Sequence, residues 1–469
     1  MPRAFRVRFS NKSQSVDPAV HKDVASDPVA ARAHRKSRHG CEECRRKRTK
    51  CDETLPSCLR CQRRKIKCII TTRPSRWRQE CPGGRQELLL SPPTSSLLID
   101  AKLFQWWLDY ACKLLVLDSQ SNPLSFPLIE HLAISPALCF ALESFSAGHK
   151  GRWALDSRVQ FLEKRSLALT LCRSELIARH VPLETTFFTV LLLGISTPFT
   201  ENVDNYGKEH LIGARAILAI LLQQDKVVHS PRIEQLLTYY TWWDMACAFS
   251  VDPLELPALS TVEVLSTVSR ASQPTKPRFA GCMVEIYHVL GLLLRYCMQL
   301  LRGGVRDLEH ELTLEQVLTG WHPNSNREED ILFAEVFRKH GLIILYRVCR
   351  MGKFTTDGNG ESPDGRSALL VHIYATEIIS MVLPHKMGTA FWNSLIPPLL
   401  TAGAELTSDD EALRHSVRDA FSSVCSQCQT NTLERAKNLL EEIWLLLDTG
   451  IEISYLELML LKGWNFSLV

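Results

Sequence analysis

Six cysteines within 28 residues carry the clearest chemical pattern in this 469-residue sequence. They form two similar halves, each a Cys-x2-Cys pair followed after six residues by a third cysteine: Cys41, Cys44 and Cys51, then Cys58, Cys61 and Cys68. Cys-x2-Cys pairs are typical ligands of structural zinc, which takes four ligands in a tetrahedron. The alternative is a disulfide framework, which requires an oxidising compartment, and no secretory signal precedes the cysteines.

The number of cysteines limits how zinc can be held. Two zinc ions need eight ligand positions, so six thiolates suffice only if two of them bridge both metals. The symmetry of the two halves indicates that the bridging residues are Cys41 and Cys58, the first cysteine of each half. We therefore predict a cofactor of two zinc ions bound by all six cysteines.

The residues between the ligands are strongly basic. Ten cations lie in this segment: Arg45, Arg46, Lys47, Arg48, Lys50, Arg60, Arg63, Arg64, Lys65 and Lys67. Six thiolates and two zinc ions leave a charge of only about −2, so these cations far exceed what the metal centre requires. A compact cationic module is suited to neutralising nucleic-acid phosphates.

This segment resembles the DNA-binding module of the fungal binuclear zinc-cluster transcription factors, the six-cysteine type. The likeness covers residues 38–53 and includes Pro56, which matches the proline that turns the loop between the halves. The resemblance implies the same two bridging cysteines, and a short helix after the second cysteine that enters the major groove of double-stranded DNA.

The resemblance also implies roles for the cations of the first half. Lys47 and Arg48 would contact a CGG triplet, because cationic donors to guanine are the commonest specific base contact. Phosphate contacts would come from Arg45, Arg46 and Lys50. The sequence has Arg48 where many relatives have lysine, which preserves guanine recognition in principle.

Charge is distributed unevenly along the chain. Residues 1–80 contain 22 basic and 8 acidic residues, a balance of +14, whereas the remainder has a balance of −10. A basic head on an acidic body is typical of a nucleic-acid reader joined to a domain with another partner. The other ten cysteines are scattered, which favours a reducing compartment.

The composition predicts that the chain is divided into four segments. We expect a disordered basic arm at 1–38, the zinc-cluster domain at 39–70, a Pro/Gly/Ser-rich linker at 71–96, and a helical regulatory domain at 97–469. Within the arm, a basic run predicts nuclear import and hence a nuclear protein, through Arg32, Arg35, Lys36 and Arg38. The same run is also suited to lying on DNA phosphates, which is compatible with nuclear import, and a solvated tail is the alternative. The first sixteen residues, which carry basic residues and no acid, resemble a mitochondrial transit peptide as another interpretation of the arm.

The linker bears on oligomeric state. Related factors often dimerise through a coiled coil that follows the cluster, and such a coil needs apolar positions maintained over several heptads. Prolines interrupt every such window here. We therefore expect a monomer, or a homodimer formed through the helical domain.

Residues 97–469 predict an all-α domain. Helical periodicity includes Leu211, Ala214, Leu218 and Leu221 on one face, and a stripe of Leu413, Val417, Phe421, Val424 and Cys428. We expect one helix to begin at Pro182 and stop at Gly194, and another to run from Asn431 to Leu447 and be ended by Gly450. Capping boxes are expected at Thr313/Gln316 and Ser408/Glu411. The best membrane candidate, 283–301, contains Glu285 and Arg295, so we expect no membrane span.

Two short segments of this domain resemble the regulatory domain of one branch of the zinc-cluster factors, which includes sterol-uptake regulators and acriflavine-sensitivity control proteins. They are Tyr206 with residues 210–217, and residues 459–466. The resemblance implies a domain that recruits coactivators or senses a small apolar effector.

No catalytic motif accompanies the helical pattern: nucleotide-binding glycine loops, GxSxG and HExxH are all absent from the sequence. Asp409-Asp410-Glu411 is typical of a helix start, where acidic residues complement the helix dipole. We interpret Cys425-x2-Cys428 as core cysteines. The pairs Trp106-Trp107 and Trp242-Trp243 are interpreted as packing anchors, with a ligand pocket as the alternative. His149, His180 and His210 have no partners at ligand spacing. The leading hypothesis is thus a DNA-binding regulator of RNA polymerase II transcription; a helical enzyme or ligand carrier tethered by a zinc module is the alternative.

Overall fold

The computed structural model describes residues 41–47, 49, 51, 58–66, 68, 99–115, 122, 124–151, 155–200, 205–223, 231–259, 283–350, 365–385, 394–428 and 431–464. The chain divides into two compact units, Met1–Pro92 and Pro93–Val469. The expected basic arm with its import residues and the linker at 71–96 lie outside the described residues.

Among its described residues, the first unit has one short helix in each cysteine half: α1 (Glu42–Arg46) and α2 (Leu59–Arg63). Each begins directly after the first cysteine of a Cys-x2-Cys pair. Helix α2 is capped by Cys58, whose extended backbone and sulfur acceptor resemble those of an ordinary polar N-cap. The metal ligand Cys58 therefore also caps the N-terminus of α2.

The second unit is built from helices, and no strand occurs among its described residues. The first set is α3 (Ala101–Asp109), α4 (Ile129–Leu132), α5 (Pro136–Lys150), α6 (Leu155–Ala178), α7 (Leu183–Ile195), α8 (Lys208–Leu222) and α9 (Pro231–Cys247). The second set is α10 (Val284–Leu301), α11 (Leu308–Gly320), α12 (Glu328–Leu345), α13 (Gly365–Val382), α14 (Ile396–Gly403), α15 (Glu411–Cys428), α16 (Asn431–Asp448) and α17 (Tyr455–Leu461). The expected fold class, a zinc module followed by a large all-α domain, is confirmed.

Helices α3 to α9 enclose the first hydrophobic core. Its most extensive helix pair is α5 with α6. Glu175 of α6 joins the two, because its carboxylate accepts hydrogen bonds from the Ala137 N–H (2.8 Å) and the Ser135 hydroxyl (2.7 Å). A carboxylate at this position also complements the dipole of α5 at its N-terminus.

Two tryptophans anchor this core, as the sequence predicted. Trp107 and Trp243 are fully buried, and the Trp107 indole donates to the Leu124 carbonyl at 2.8 Å. Gly194 allows the close approach of Trp243, since a Cβ on Gly194 would lie 2.1 Å from the indole ring. Gly194 was expected to stop α7, which is wrong: the helix continues to Ile195, and the glycine is required for packing.

Helices α10 to α17, with the end of α9, enclose the second core. The Trp444 indole of α16 donates to the Gly403 carbonyl of α14 at 2.8 Å, which fixes the two helices to each other. Tyr287 of α10 packs edge-on against Phe337 of α12. These aromatic contacts add specific geometry to the apolar burial.

Helix α10 joins the two cores. Among the described residues, Val284–Leu301 is long and apolar enough to cross a membrane, but 61% of it is buried inside the unit, as in a core helix. Its Arg295 is buried and donates to Asp244 of α9 at 2.6 Å and to the Leu256 carbonyl at 3.2 Å. Each buried charge of this ion pair thus has a partner, as expected for a helix in a protein interior.

Helix ends account for most differences from the expectations. Pro182 precedes α7 as its N-cap, one position before the expected site. Thr313 lies inside α11 and bonds back to the Glu309 carbonyl at 2.8 Å, whereas Asp307 caps the helix. The second capping box is also displaced by one residue and is formed by Thr407 with Asp410. In the last two cases a nearby polar residue, Asp307 or Thr407, takes the free N–H groups instead.

Periodic faces were predicted more successfully. The four residues expected on the buried face of α8 are all buried, as are Val417, Phe421 and Val424 of α15. Leu413 is partly buried, and the side chain of Cys428 lies outside the described residues. Helix α16 spans Asn431–Asp448, and Gly450 follows it at φ +82°, the left-handed conformation that suits glycine after a helix.

Candidate metal centre and nucleic-acid interface

The six cysteines of the first unit converge on two metal-sized sites. Four sulfurs lie mutually within 4.8 Å in each group: Cys41, Cys44, Cys51 and Cys58 in one, and Cys41, Cys58, Cys61 and Cys68 in the other. Cys41 and Cys58 belong to both groups. The geometry therefore has the shared pair that the count of six ligands for two tetrahedral ions requires.

The sulfur separations distinguish zinc from disulfides. The Cys41 Sγ lies 3.7 Å from the Cys58 Sγ and 3.6 Å from the Cys61 Sγ, and the Cys44 and Cys58 sulfurs are 3.8 Å apart. A tetrahedron with Zn–S bonds of about 2.3 Å has an edge of about 3.8 Å. A disulfide would hold the sulfurs at about 2.05 Å. None of the six cysteines forms a disulfide, and their spacing fits two zinc ions.

The local backbone of the two halves is nearly the same after a shift of seventeen residues. The Cys44 N–H points to the Cys41 Sγ at 3.4 Å, and the Cys61 N–H points to the Cys58 Sγ at the same distance. Each Cys-x2-Cys pair thus uses the free N–H of a helix first turn as a donor to its own bridging sulfur. Such donors stabilise the thiolate form.

A second contact in each half joins its third cysteine to its first. The Cys41 N–H lies 3.4 Å from the Cys51 Sγ, and the Cys58 N–H lies 3.3 Å from the Cys68 Sγ. The third cysteine of each half therefore returns to the residue where that half began. The short helix of each half lies between the bridging cysteine and this return.

Burial makes these thiols poor acids unless a cation is present. Five of the six are buried and Cys68 is half-buried. Removal from water raises the pKa of Cys41 and Cys44 above the ordinary thiol value, and raises the pKa of Cys61 to about 12. Two divalent cations would offset this cost, since a coordinating thiol is deprotonated by its metal.

Helix α1 presents its cations beside a carboxylate. The Arg46 guanidinium donates to both oxygens of Glu43, at 2.8 and 3.0 Å, and the Lys47 ammonium lies 3.4 Å from the same carboxylate. The hydrogen bond from Arg46 lowers the pKa of Glu43. Arg46 and Lys47 are exposed, so these pairs add little stability, but they reduce the positive potential of α1.

The predicted contact residues of the first half are only partly described. Lys47 and Arg46 lie at the C-terminal end of α1, on the surface of the module. Arg48, Lys50 and the side chain of Arg45 lie outside the described residues. The division into base and phosphate contacts therefore remains a prediction.

The second half offers a cationic surface whose residues were not among the individually predicted DNA contacts. Arg60, Arg63, Arg64 and Lys65 are all exposed on or just after α2. In the described part of the chain, none of them pairs with a carboxylate. The seventeen-residue repeat could have identified them, because Lys65 occupies the position that corresponds to Arg48.

The histidine and cysteine candidates of the helical unit lie at packed or exposed positions. His149 Nδ1 lies 3.0 Å from the Trp106 indole nitrogen, which donates to it, and burial lowers the pKa of His210 to about 4. His180 is exposed, and Cys425 is buried in the second core. Within the described ranges, the two cysteine groups are the sites with metal-binding spacing.

Comparisons with known proteins match both units. A model of the fungal Zn(2)-Cys(6) binuclear cluster domain matches residues 39–78, and a model of the fungal-specific transcription factor domain matches residues 102–469. The chain is 38% identical over 64 residues to a lysine biosynthesis regulatory protein of Saccharomyces cerevisiae, covering 14% of this chain and 8% of that protein. It is 54% identical over 37 residues to a Zn(2)-C6 fungal-type transcription factor of Aspergillus fumigatus, covering 8% of this chain and 10% of that protein. No solved structure matches the chain.

Proposed function

The chain belongs to the family of fungal-specific transcription factors, and we propose that it regulates RNA polymerase II transcription by reading CGG-type triplets in double-stranded DNA. The family assignment itself makes the chain a DNA-binding transcription regulator with a cluster of two zinc ions. The matched relatives share only about a tenth of their own length with this chain, so the proposed target sequence rests on the zinc module and its resemblance to the family.

The observation that supports this proposal is the pair of sulfur tetrahedra with a shared edge. Two zinc ions held this way would fix α1 and α2 rigidly, although each helix is far too short to be stable alone. Rigid placement of a short cationic helix is what contact with base edges requires. The exposed cations at the end of α1 are then held in a fixed geometry.

Within this proposal the cations divide into two groups. Lys47 and Arg48 contact the guanines of the triplet, while Arg45, Arg46 and Lys50 hold phosphates. The exposed cations of α2 add further phosphate contacts from the second half, since they are unpaired in the described part of the chain. Phosphate contacts set the register of the protein on DNA, and base contacts select the sequence.

The other parts of the chain serve this activity. The basic run Arg32, Arg35, Lys36 and Arg38 directs the protein to the nucleus. The helical unit is a regulatory domain without catalytic function, which recruits coactivators, associates with a second copy and responds to a small apolar effector. These roles rest on the family assignment and on the absence of a catalytic constellation among the described residues.

An in vitro DNA selection with the full-length, zinc-loaded protein tests the target sequence. Enrichment of a CGG triplet is the expected result. The matched control is Cys58→Ala, which removes a bridging ligand and should abolish enrichment. A selection that enriches no sequence, with two zinc ions confirmed per chain, would contradict the proposal.

Single substitutions test the division of roles. Lys47→Ala should reduce discrimination between CGG and a mismatched triplet by about 1–3 kcal/mol. Arg46→Ala should weaken binding to all sequences alike and reduce the salt dependence by about one phosphate contact. If Lys47→Ala weakened matched and mismatched DNA equally, Lys47 would be a phosphate contact.

A further inference from the structure

An open groove lies between α6, α7 and α8 of the helical unit. Its volume is about 530 Å³, within the range of about 300–1,000 Å³ in which proteins hold small molecules. Its walls are mainly apolar: Leu176 and Ile177 belong to α6, and Val190 and Leu193 belong to α7. A groove of this size and lining suits an apolar tail, because contact with the walls removes the tail from water.

Gly213 keeps the α8 side of this groove open. It lies inside α8, where glycine is less favourable than alanine. Packing does not require a glycine here, since a Cβ would meet only the Val190 side chain, at an ordinary van der Waals distance of 3.8 Å. Gly213 lines the groove, so a larger side chain at this position would take up groove volume. The glycine thus preserves space that the protein itself does not fill.

His210 supplies the groove with a hydrogen-bond donor. Its Nε2 lies 3.4 Å from a guanidinium nitrogen of Arg165, and because a guanidinium can only donate, Nε2 accepts and the ring proton is on Nδ1. Burial, and then the charge of Arg165, lowers the pKa of His210 to about 4, so the ring is neutral at pH 7. Among the described residues, the Nδ1–H has no hydrogen-bond partner. Since His210 lines the groove, an acceptor group of a bound molecule can satisfy this donor.

The charges around the groove favour an acceptor that is an anion. Every partner of Arg165 in the described part of the chain is a neutral group, including the Leu193 carbonyl at 2.6 Å, and removal from water lowers the pKa of Arg165 to about 10. Arg173 lines the groove and forms no ion pair with any described residue. Glu209 also lines it, but this acid is in the first turn of α8 and complements the helix dipole. Two cations therefore stand against one acid.

We propose that the groove between α6, α7 and α8 binds an amphipathic acid, a small molecule with an aliphatic tail and a carboxylate. The tail lies along the apolar walls. The carboxylate accepts a hydrogen bond from His210 Nδ1 and pairs with Arg173, while Arg165 adds positive potential from behind His210. The inference deepens the proposed response to a small apolar effector, and it rests on that proposal only for the effect of binding on transcription.

Isothermal titration calorimetry of the full-length, zinc-loaded chain tests the head group. The probes are decanoate, decanol and decylamine, which share one tail and differ in charge. Decanoate should bind at least about tenfold more tightly than decanol, because a carboxylate makes stronger hydrogen bonds than a hydroxyl and is attracted by the two cations. Equal affinity for decanoate and decanol, tightest binding of decylamine, or no binding of any probe would overturn the proposal.

A glycine substitution tests whether the groove is the binding site. Gly213→Leu fills the groove from the α8 side and should lower the affinity for decanoate at least about tenfold. The matched control is Gly320→Leu at the end of α11, where a Cβ would meet nothing within 4 Å, and it should leave the affinity unchanged. Undiminished decanoate binding by Gly213→Leu would contradict the assignment to this groove.

Opposite changes of charge separate loss of contact from loss of fold. Arg173→Gln should weaken decanoate binding about fivefold and Glu209→Gln should strengthen it by a similar factor, with the affinity for decanol unchanged in both. Stronger binding is not expected from damaged folding. His210→Phe keeps a ring of similar size without the donor, and it should weaken decanoate binding more than decanol binding. Equal weakening by Arg173→Gln and Glu209→Gln would refute the assigned charge of the ligand.

The other proposals fail separately from this one. A wild-type chain that binds decanoate but enriches no DNA sequence would contradict only the proposed target. Decanoate binding that leaves transcription of a reporter gene unchanged would contradict only the proposed effector response. Enrichment of a CGG triplet by a chain that binds none of the three probes would overturn the groove assignment alone.

Discussion

Replacement of the bridging Cys58 should remove both zinc ions, whereas replacement of the terminal Cys68 should remove one. Cys58 belongs to both groups of four sulfurs, and Cys68 belongs to one. Cys58→Ala leaves three protein ligands at each metal, while Cys68→Ala leaves the group of Cys41, Cys44, Cys51 and Cys58 complete. The two substitutions remove the same chemical group, so they form a matched pair.

The magnitude follows from the number of bonds lost. Structural zinc binds with about 10–16 kcal/mol, or about 3 kcal/mol for each of four Zn–S bonds if the free energy is divided evenly. Cys68→Ala loses one such bond and Cys58→Ala loses two, about 6 kcal/mol. Cys58→Ala also removes the acceptor for the Cys61 N–H, which lies 3.4 Å from the Cys58 sulfur. Because α1 and α2 are held by the metals, loss of both ions should unfold the module.

Elemental analysis after equilibration with a competing chelator measures the effect. The wild type should retain two zinc ions per chain, Cys68→Ala one and Cys58→Ala none. Cys41→Ala should behave as Cys58→Ala, because it is the other shared ligand. If Cys58→Ala retained one tightly bound zinc ion, as Cys68→Ala does, the shared-ligand assignment would be refuted.

Three further outcomes are expected. Glu43→Gln should free Arg46 and Lys47 and increase affinity for all DNA sequences by about fivefold at low salt, as measured in a titration by fluorescence anisotropy; unchanged affinity would show that the ion pairs do not compete with DNA. Gly194→Ala should lower the free energy of unfolding by about 1–3 kcal/mol in urea, because the new Cβ would overlap Trp243; a stabilised variant would contradict the packing. Burial lowers the pKa of His340 to about 3, so the unfolded chain takes up a proton below its ordinary pKa of about 6.5 and the folded chain does not. Stability should therefore fall by about 1.4 kcal/mol per pH unit from about pH 6.5 towards pH 3, and His340→Leu, compared by urea unfolding at pH 7 and 5, should show a shallower loss.

The metal centre was predictable from spacing because its constraints are local. Two Cys-x2-Cys pairs and two more cysteines, within 28 residues, leave few ways to complete two tetrahedra, and the repeat identified the shared residues. The pairing of Glu43 with Arg46 was accessible in principle, since residues three apart are neighbours on a helix. The exposed cations of α2 were counted in the cationic module but not among the individual DNA contacts, because the family resemblance assigns those contacts to the first half.

The helical unit was predictable in class and in its periodic faces, but not in its contacts. The buried face of α8 follows from helical periodicity, which depends on neighbouring residues alone. The role of Gly194 could not be found this way, because it depends on Trp243, which lies 49 residues away in the chain. The capping residues failed for a different reason: Thr407 and Ser408 are adjacent, and the tertiary structure decides which one meets the free N–H groups.

The two shared sulfurs also act as a cross-link within the chain. Each half of the module contributes three cysteines, so neither half can complete a tetrahedron alone. A chain cut between Cys51 and Cys58 would therefore stay a single particle while zinc is bound, and would separate when the metal is removed. Metal coordination, more than the peptide between the halves, makes the module one piece, and zinc supply thus governs its integrity as well as its folding.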